Sequence, residues 1–223
     1  MNKARDRRHT LNISFLSLSC ATLLIAILLV GCASPYRQGA GKFNTVVVDA
    51  GHGGYNNGGR SVSGYPEKVL ALDTSRRLAA VLRSKGFRVI ETRTRDVFIP
   101  LESRVAVSNP IANCIFVSVH YNWAPRRGAR GIEIYYFSPR SWRLASNILR
   151  QSVRAYPTYS RGVKRNNFRV LRKSRRPAVL CELGFLSNPE DNRHVQNAKY
   201  RQRLAERVAA GIVEERRTAE RDE

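Results

Sequence analysis

The stretch 45-TVVVDAGHGG-54 runs a β-branched segment, Thr45 to Ala50, straight into a glycine-rich turn that carries His52. A hairpin turn would account for the glycines. A phosphate loop or a metal site would account for the histidine as well. The GxGxxG spacing and the lysine of a P-loop are missing, and the chain has no HExxH helix. Taken alone, the stretch leaves turn, phosphate loop and metal site open.

Outward from this strand the element types alternate. Glu67 to Gly86 places Val69, Leu72, Leu78 and Leu82 on one helical face and stops at a glycine. FRVIETR reads as a strand, and LESRVAVSN as a helix closed by Pro110. Ile115 to His120 and GIEIYYF are further strands, followed by a helix over Ser141 to Tyr156. FRVLR and PAVLCELGF are expected to be strands as well. Asn188 and Pro189 then cap a helix, and AKYRQRLAERVAAGIVEE forms the last one. This order predicts an α/β three-layer sandwich, with a mostly parallel or mixed central sheet flanked by helices on both faces. The domain is expected over 44–216, with 217–223 a frayed tail.

The N-terminal segment has a different character. Lys3, Arg5, Arg7 and Arg8 precede an apolar run, Cys20 to Val30, that ends in Gly31-Cys32. This is the pattern of an export signal over 1–31. LVGC resembles a bacterial lipoprotein box, which makes Cys32 the lipidated residue and 33–43 a tether. An uncleaved membrane anchor is the alternative, but Phe15 to Gly31 falls short of the roughly 20 residues that span a bilayer. The expected location is the cell envelope: a lipid-anchored protein facing the periplasm or the cell exterior. Ala33-Ser34 after Cys32 lacks the aspartate that often retains lipoproteins at the inner membrane, which points to the outer membrane in a two-membrane cell.

The net charge is +22, and removing the signal's four bases and one acid leaves +19. Such a charge often means nucleic acid, but export argues against that partner and for envelope anions. Of the four cysteines, Cys114 and Cys181 lie beyond the signal, in apolar runs that predict buried thiols rather than a disulfide.

Three polar residues end apolar strands: His52, His120 and Glu182. Ligands of open α/β sheets gather at the carboxyl ends of strands. An ionisable residue there needs a partner, and one zinc ion with its reacting water would supply it for all three.

DAGHGG, YPEKVLALD, ETRTRD, LESRV, FVSVHYN, GIEIYY, RGVKRNNFRVL and PAVLCELGFLSNPED follow one another in this chain. Together they resemble the zinc-dependent N-acetylmuramoyl-L-alanine amidases of the Amidase_3 family, from about Thr45 to Val213. The resemblance implies Zn2+ held by His52, Glu67 and His120, with Glu182 as catalytic acid–base. The substrate it implies is peptidoglycan, cut between N-acetylmuramic acid and L-alanine. Asn122 is a candidate for bonding substrate or a ligating side chain, Glu133 for supporting the site, and Tyr121 and Trp123 for stacking on sugar or peptide. Some family members carry a helical insertion that blocks the zinc until a partner displaces it. Tyr136 to Arg161 is too short for one, so an activator protein is not required, and a monomer is expected. Two rivals stand beside this reading: a zinc peptidase acting on the stem peptide, and a non-catalytic wall-binding lipoprotein.

Overall fold

The computed structural model describes residues 39–156 and 158–221; the signal, Cys32 and the tether as far as Gln38 lie outside the described residues. Six strands form one sheet: β1 (Thr45–Ala50), β2 (Arg88–Glu91), β3 (Cys114–Asn122), β4 (Ile132–Tyr136), β5 (Ser160–Arg165) and β6 (Ala178–Phe185), in the order β2-β1-β3-β6-β4-β5. All neighbours are parallel except β4, which runs against β6. The helices are α1 (Glu67–Ser84), α2 (Leu101–Ser108), α3 (Trp142–Ser152), α4 (Arg169–Arg172), α5 (Pro189–Gln196) and α6 (Ala198–Arg221).

The central strands are buried on both faces, and for that reason they read as continuous apolar runs. Val46 and Val48 of β1, with Val117 and Val119 of β3, pack under Leu78, Ile148 and Val208 of α1, α3 and α6. Val47 and Phe116 face the other way, toward Val105 of α2 and Val170 and Leu171 of α4. The two faces are therefore covered unequally: three long helices on one, helices of eight and four residues on the other. Cys181 belongs to the first core and Cys114 to the second; both are free thiols, so the sheet separates them.

Three expectations need correction. FRVLR is not a strand: Arg169–Arg172 is a single helical turn that drops Val170 and Leu171 together into the second core. The strand in this region is Ser160–Arg165, an edge strand whose charged, half-exposed residues give no apolar signal. The inward face of α1 is Glu67, Leu70, Thr74, Leu78 and Leu82, while Val69 stays exposed. Finally, α6 continues to Arg221 instead of fraying beyond Arg216, and Ala219 is buried.

Asn188 caps α5 as expected, its side-chain oxygen accepting from the amides of Glu190 and Asp191. The end of the expected tether is packed rather than free. Ala40 donates its amide to the buried Glu215 at 2.7 Å, and Phe43 stacks on Phe87.

At Gly211 in α6 an added Cβ would stand 2.6 Å from the Ile148 backbone of α3. Glycine to alanine inside a helix normally stabilises by up to about 1 kcal/mol. Here the helices would have to separate, so Gly211→Ala should instead cost about 1–3 kcal/mol, read as a lowered urea midpoint.

Candidate active site

The turn after β1 has unusual backbone geometry: His52 sits at φ 60° and Gly53 at φ 124°. A non-glycine residue in the left-handed region is held there by its surroundings. Those surroundings are two arginines. Arg104 donates to the carbonyls of Ala50 and His52 at 2.6 and 2.7 Å, and Arg93 to those of Ala50 and Gly51 at 3.0 and 2.6 Å. Asp49 balances Arg104 at 2.9 Å, the two side chains being 1% and 3% exposed, and it also accepts from Ser118 and Thr92. The glycines admit close neighbours: a Cβ on Gly51 would lie 2.4 Å from the His120 ring, and one on Gly58 2.5 Å from Glu67 Oε2.

The arginine clamp therefore aims His52 at Glu67. His52 Nε2 lies 2.9 Å from Glu67 Oε2, and His120 Nδ1 lies 2.9 Å from Glu67 Oε1. The amides of Gly59 and Tyr121 donate to the same two carboxylate oxygens and fix their orientation. Glu67 is thus no ordinary helix-end carboxylate; it is buried between both histidines. Burial works to raise its pKa, but the hydrogen bonds from His120 and His52 outweigh it and hold the carboxyl at about 2. Burial likewise works against a proton on His52, and there the bond to Glu67 prevails and raises the pKa.

The residues fit a metal ion. One ligand atom from each of His52, Glu67 and His120 lies within 4.8 Å of the others. Asn56 Oδ1, which already accepts from the Gly58 amide, faces His52 Nδ1 at 2.9 Å and so calls for the proton on that nitrogen. The Nε2 lone pair is left directed at a carboxylate oxygen, an arrangement that asks for a proton or a cation between them.

Glu182 stands outside this trio but faces the same cleft, which measures about 610 Å³. It pairs in register with His120 on β3. Among the described residues its Oε2 is buried without a hydrogen-bond partner, and no arginine there pairs with it. Burial, with the nearby charges of Glu67 and Glu133, pushes its pKa well above the usual carboxylate range.

The remaining candidates divide. Asn122 and Glu133 do meet, Asn122 Nδ2 donating to Glu133 Oε1 at 2.7 Å, while Asn122 Oδ1 accepts from the Trp123 amide. The Asn122 amide thus bonds to the protein at both ends and ties Glu133 to the end of β3. Trp123 is 51% exposed and borders the cleft, as does the stacked pair Tyr55 and Phe98. Tyr121 is not a stacking surface: it is fully buried and its hydroxyl meets that of Thr74 at 2.7 Å. His194, in α5 and away from this group, packs against Tyr156 and Tyr200. Sequence reasoning passed over Asp49, Arg93 and Arg104, although each lies within a motif already singled out. An aspartate inside an apolar strand was the available signal. Arg104→Met should cost about 3–5 kcal/mol by stranding Asp49 and the loop carbonyls, measured by urea unfolding.

Residues 46–214 match the family described as N-acetylmuramoyl-L-alanine amidase. The uncharacterized protein YqiI of Bacillus subtilis (strain 168) is 36% identical over 198 residues, covering 87% of this chain and 94% of YqiI. A protein of Staphylococcus aureus named "Probable cell wall amidase LytH" is 32% identical over 75% of this chain, which spans 57% of LytH. Among solved structures, the catalytic domain of CwlV, an N-acetylmuramoyl-L-alanine amidase from Bacillus (Paenibacillus) polymyxa var. colistinus, superposes with a TM-score of 0.74 at 32% identity. The match covers 77% of this chain and 97% of that domain. The matched span runs from β1 into α6 and contains His52, Glu67, His120 and Glu182, and the chain belongs to the N-acetylmuramoyl-L-alanine amidase family.

Proposed function

We propose that this protein is a zinc-dependent peptidoglycan amidase that cuts the bond between N-acetylmuramic acid and L-alanine. The convergence of His52, Glu67 and His120 beside Glu182, whose Oε2 has no partner among the described residues, is the observation that carries the reading. His52 Nε2, Glu67 and His120 Nδ1 would hold the ion. When bound, zinc supplies an electrophile that polarises the scissile carbonyl and acidifies water. Glu182 does the proton work. Its raised pKa suits a carboxyl that takes a proton from the attacking water and returns it to the departing alanine nitrogen. Glu67 and the two histidines remain as fixed donors, oriented by Asn56 and by the amides of Gly59 and Tyr121. Tyr55, Phe98 and Trp123 offer apolar surface to sugar or peptide.

In the same proposal the chain is a lipoprotein anchored through Cys32 and exposed to the cell wall, as its basic n-region and LVGC box suggest. Cys32→Ser should move the protein from the membrane fraction to the soluble one and remove a lipid-sized mass increment, read by fractionation and intact mass spectrometry.

The full chain, purified in detergent, should carry close to one zinc per molecule by elemental analysis. Glu182→Gln should keep the zinc and lose about 10²–10⁴-fold in turnover. His120→Ala should lose both. Mass spectrometry of peptidoglycan digests decides the bond: intact stem peptides with a free L-alanine amine support the amidase. Shortened stems still joined to muramic acid would make the protein a peptidase, and metal-free protein at full activity would overturn the zinc mechanism.

A further inference from the structure

The row of functional side chains does not stop at Glu182. Because β4 runs against β6, Glu133 lies directly opposite Glu182, which itself lies opposite His120. Residues paired across a sheet project from the same face, so the three form one line across β3, β6 and β4. At the end of that line Glu133 is buried and accepts from Arg161 Nε at 2.9 Å and from Lys164 Nζ, both on the edge strand β5. One carboxylate thus faces two cations. One of them suffices to neutralise it; the other is surplus, and the two side chains are 36% and 40% exposed. Among the described residues Arg161 donates hydrogen bonds through Nε alone, which leaves both outer nitrogens for a ligand. Arg161, Lys164, Arg130 and Tyr159 border a cavity of about 420 Å³, with Arg130 lying over the Tyr159 ring. Arg130 also pairs with the exposed Glu190.

We infer that this cavity is a carboxylate-binding subsite for the peptide portion of the substrate, with Arg161 and Lys164 receiving the carboxylate. The inference rests on the amidase reading. In a muramoyl peptide the lactyl carboxyl is consumed in the amide to be cut, so free carboxylates lie on the peptide side alone. From β3 to β5 the row crosses three strand spacings of about 4.8 Å each. An extended peptide advances about 3.3–3.6 Å per residue. Three spacings make about 14 Å, so the carboxylate read there belongs to roughly the fourth residue beyond the scissile bond. The bond from Arg161 Nε to Glu133 also steadies the guanidinium for a two-pronged grip on a carboxylate.

The test compares two synthetic N-acetylmuramoyl peptides, identical except that the peptide carboxylates are free in one and amidated in the other. Turnover and calorimetric binding are measured for the full chain in detergent and for its Arg161→Gln and Arg161→Lys variants. The wild type should favour the free acid by about tenfold, mainly through KM. Arg161→Gln should bring the free acid down to the amidated level, and Arg161→Lys should keep part of the preference. Lys164→Met, expected to lower the same ratio, decides the matter if Arg161→Gln does not fold. Equal treatment of the two peptides by the wild type overturns the subsite. So does an equal loss on both in Arg161→Gln, which would make Arg161 merely a support for Glu133. If neither peptide is cut at its muramoyl amide, the amidase reading fails. The binding ratio then decides the subsite by itself: tighter binding of the free acid, lost in Arg161→Gln, upholds it, and equal affinities overturn it.

Discussion

Two buried guanidinium groups, turned on the carbonyls of Ala50, Gly51 and His52, hold the whole site in place. The turn after β1 leaves the sheet ladder before it has entered any helix, so its carbonyls have no regular partners. Buried carbonyls must find them elsewhere. Arg93 and Arg104 supply the donors, and Asp49 gives Arg104 the counter-charge it needs at that depth. Burial, and after it the charge of Arg104, lowers the pKa of Arg93. With the turn fixed, His52 is presented at a strained φ, and its ring can reach Glu67 without further adjustment.

The unequal covering of the sheet explains why there is a cleft at all. Long helices α1, α3 and α6 close one face over their entire length. On the other face α2 and α4 are short and pack over Val47 and Phe116, the parts of the strands away from the site. The carboxyl ends of β3 and β6 on that face stay open, and His120 and Glu182 stand there. Glu67 comes from the opposite layer, reaching over the end of the sheet from the first turn of α1. The three candidate ligands thus arrive from a loop, a helix and a strand, none adjacent in sequence.

Much of this was legible in the residues. Apolar runs leading to His120 and Glu182 marked both strands, since burial on two faces writes a continuous apolar signal, but the strands do not end there: β3 runs on to Asn122 and β6 to Phe185. Asn188-Pro189 marked a helix start through local chemistry, and the start is there. Apart from Asp49, an aspartate inside an apolar strand, what escaped had no local signature. β5 is a polar edge strand, recognisable only by its partner β4. The phase of α1 was misjudged because Glu67 was not counted as inward-facing; its inward place turns Leu70, Thr74 and Leu78 toward the core and Val69 out. Tyr121 sits beside His120 in sequence, yet strand alternation sends its ring to the opposite side, under Thr74. The arginine clamp joins residues 42 to 54 positions apart, a separation over which no spacing rule operates.

The edge position of β5 has a consequence for how such a protein changes over time. Its residues are half-exposed or exposed, it adds one margin to the sheet, and its pairing with β4 already tolerates an irregularity between Ile132 and Ile134. Apart from Val163, which packs against the first core, its side chains belong to neither core, whereas almost any change at Asp49, Arg104 or Gly51 disturbs the candidate ligands. The molecule therefore keeps a tightly constrained interior next to a more tolerant margin, where the surface beside the cleft can change, so long as Glu133 keeps its cations, without moving the groups at the strand ends.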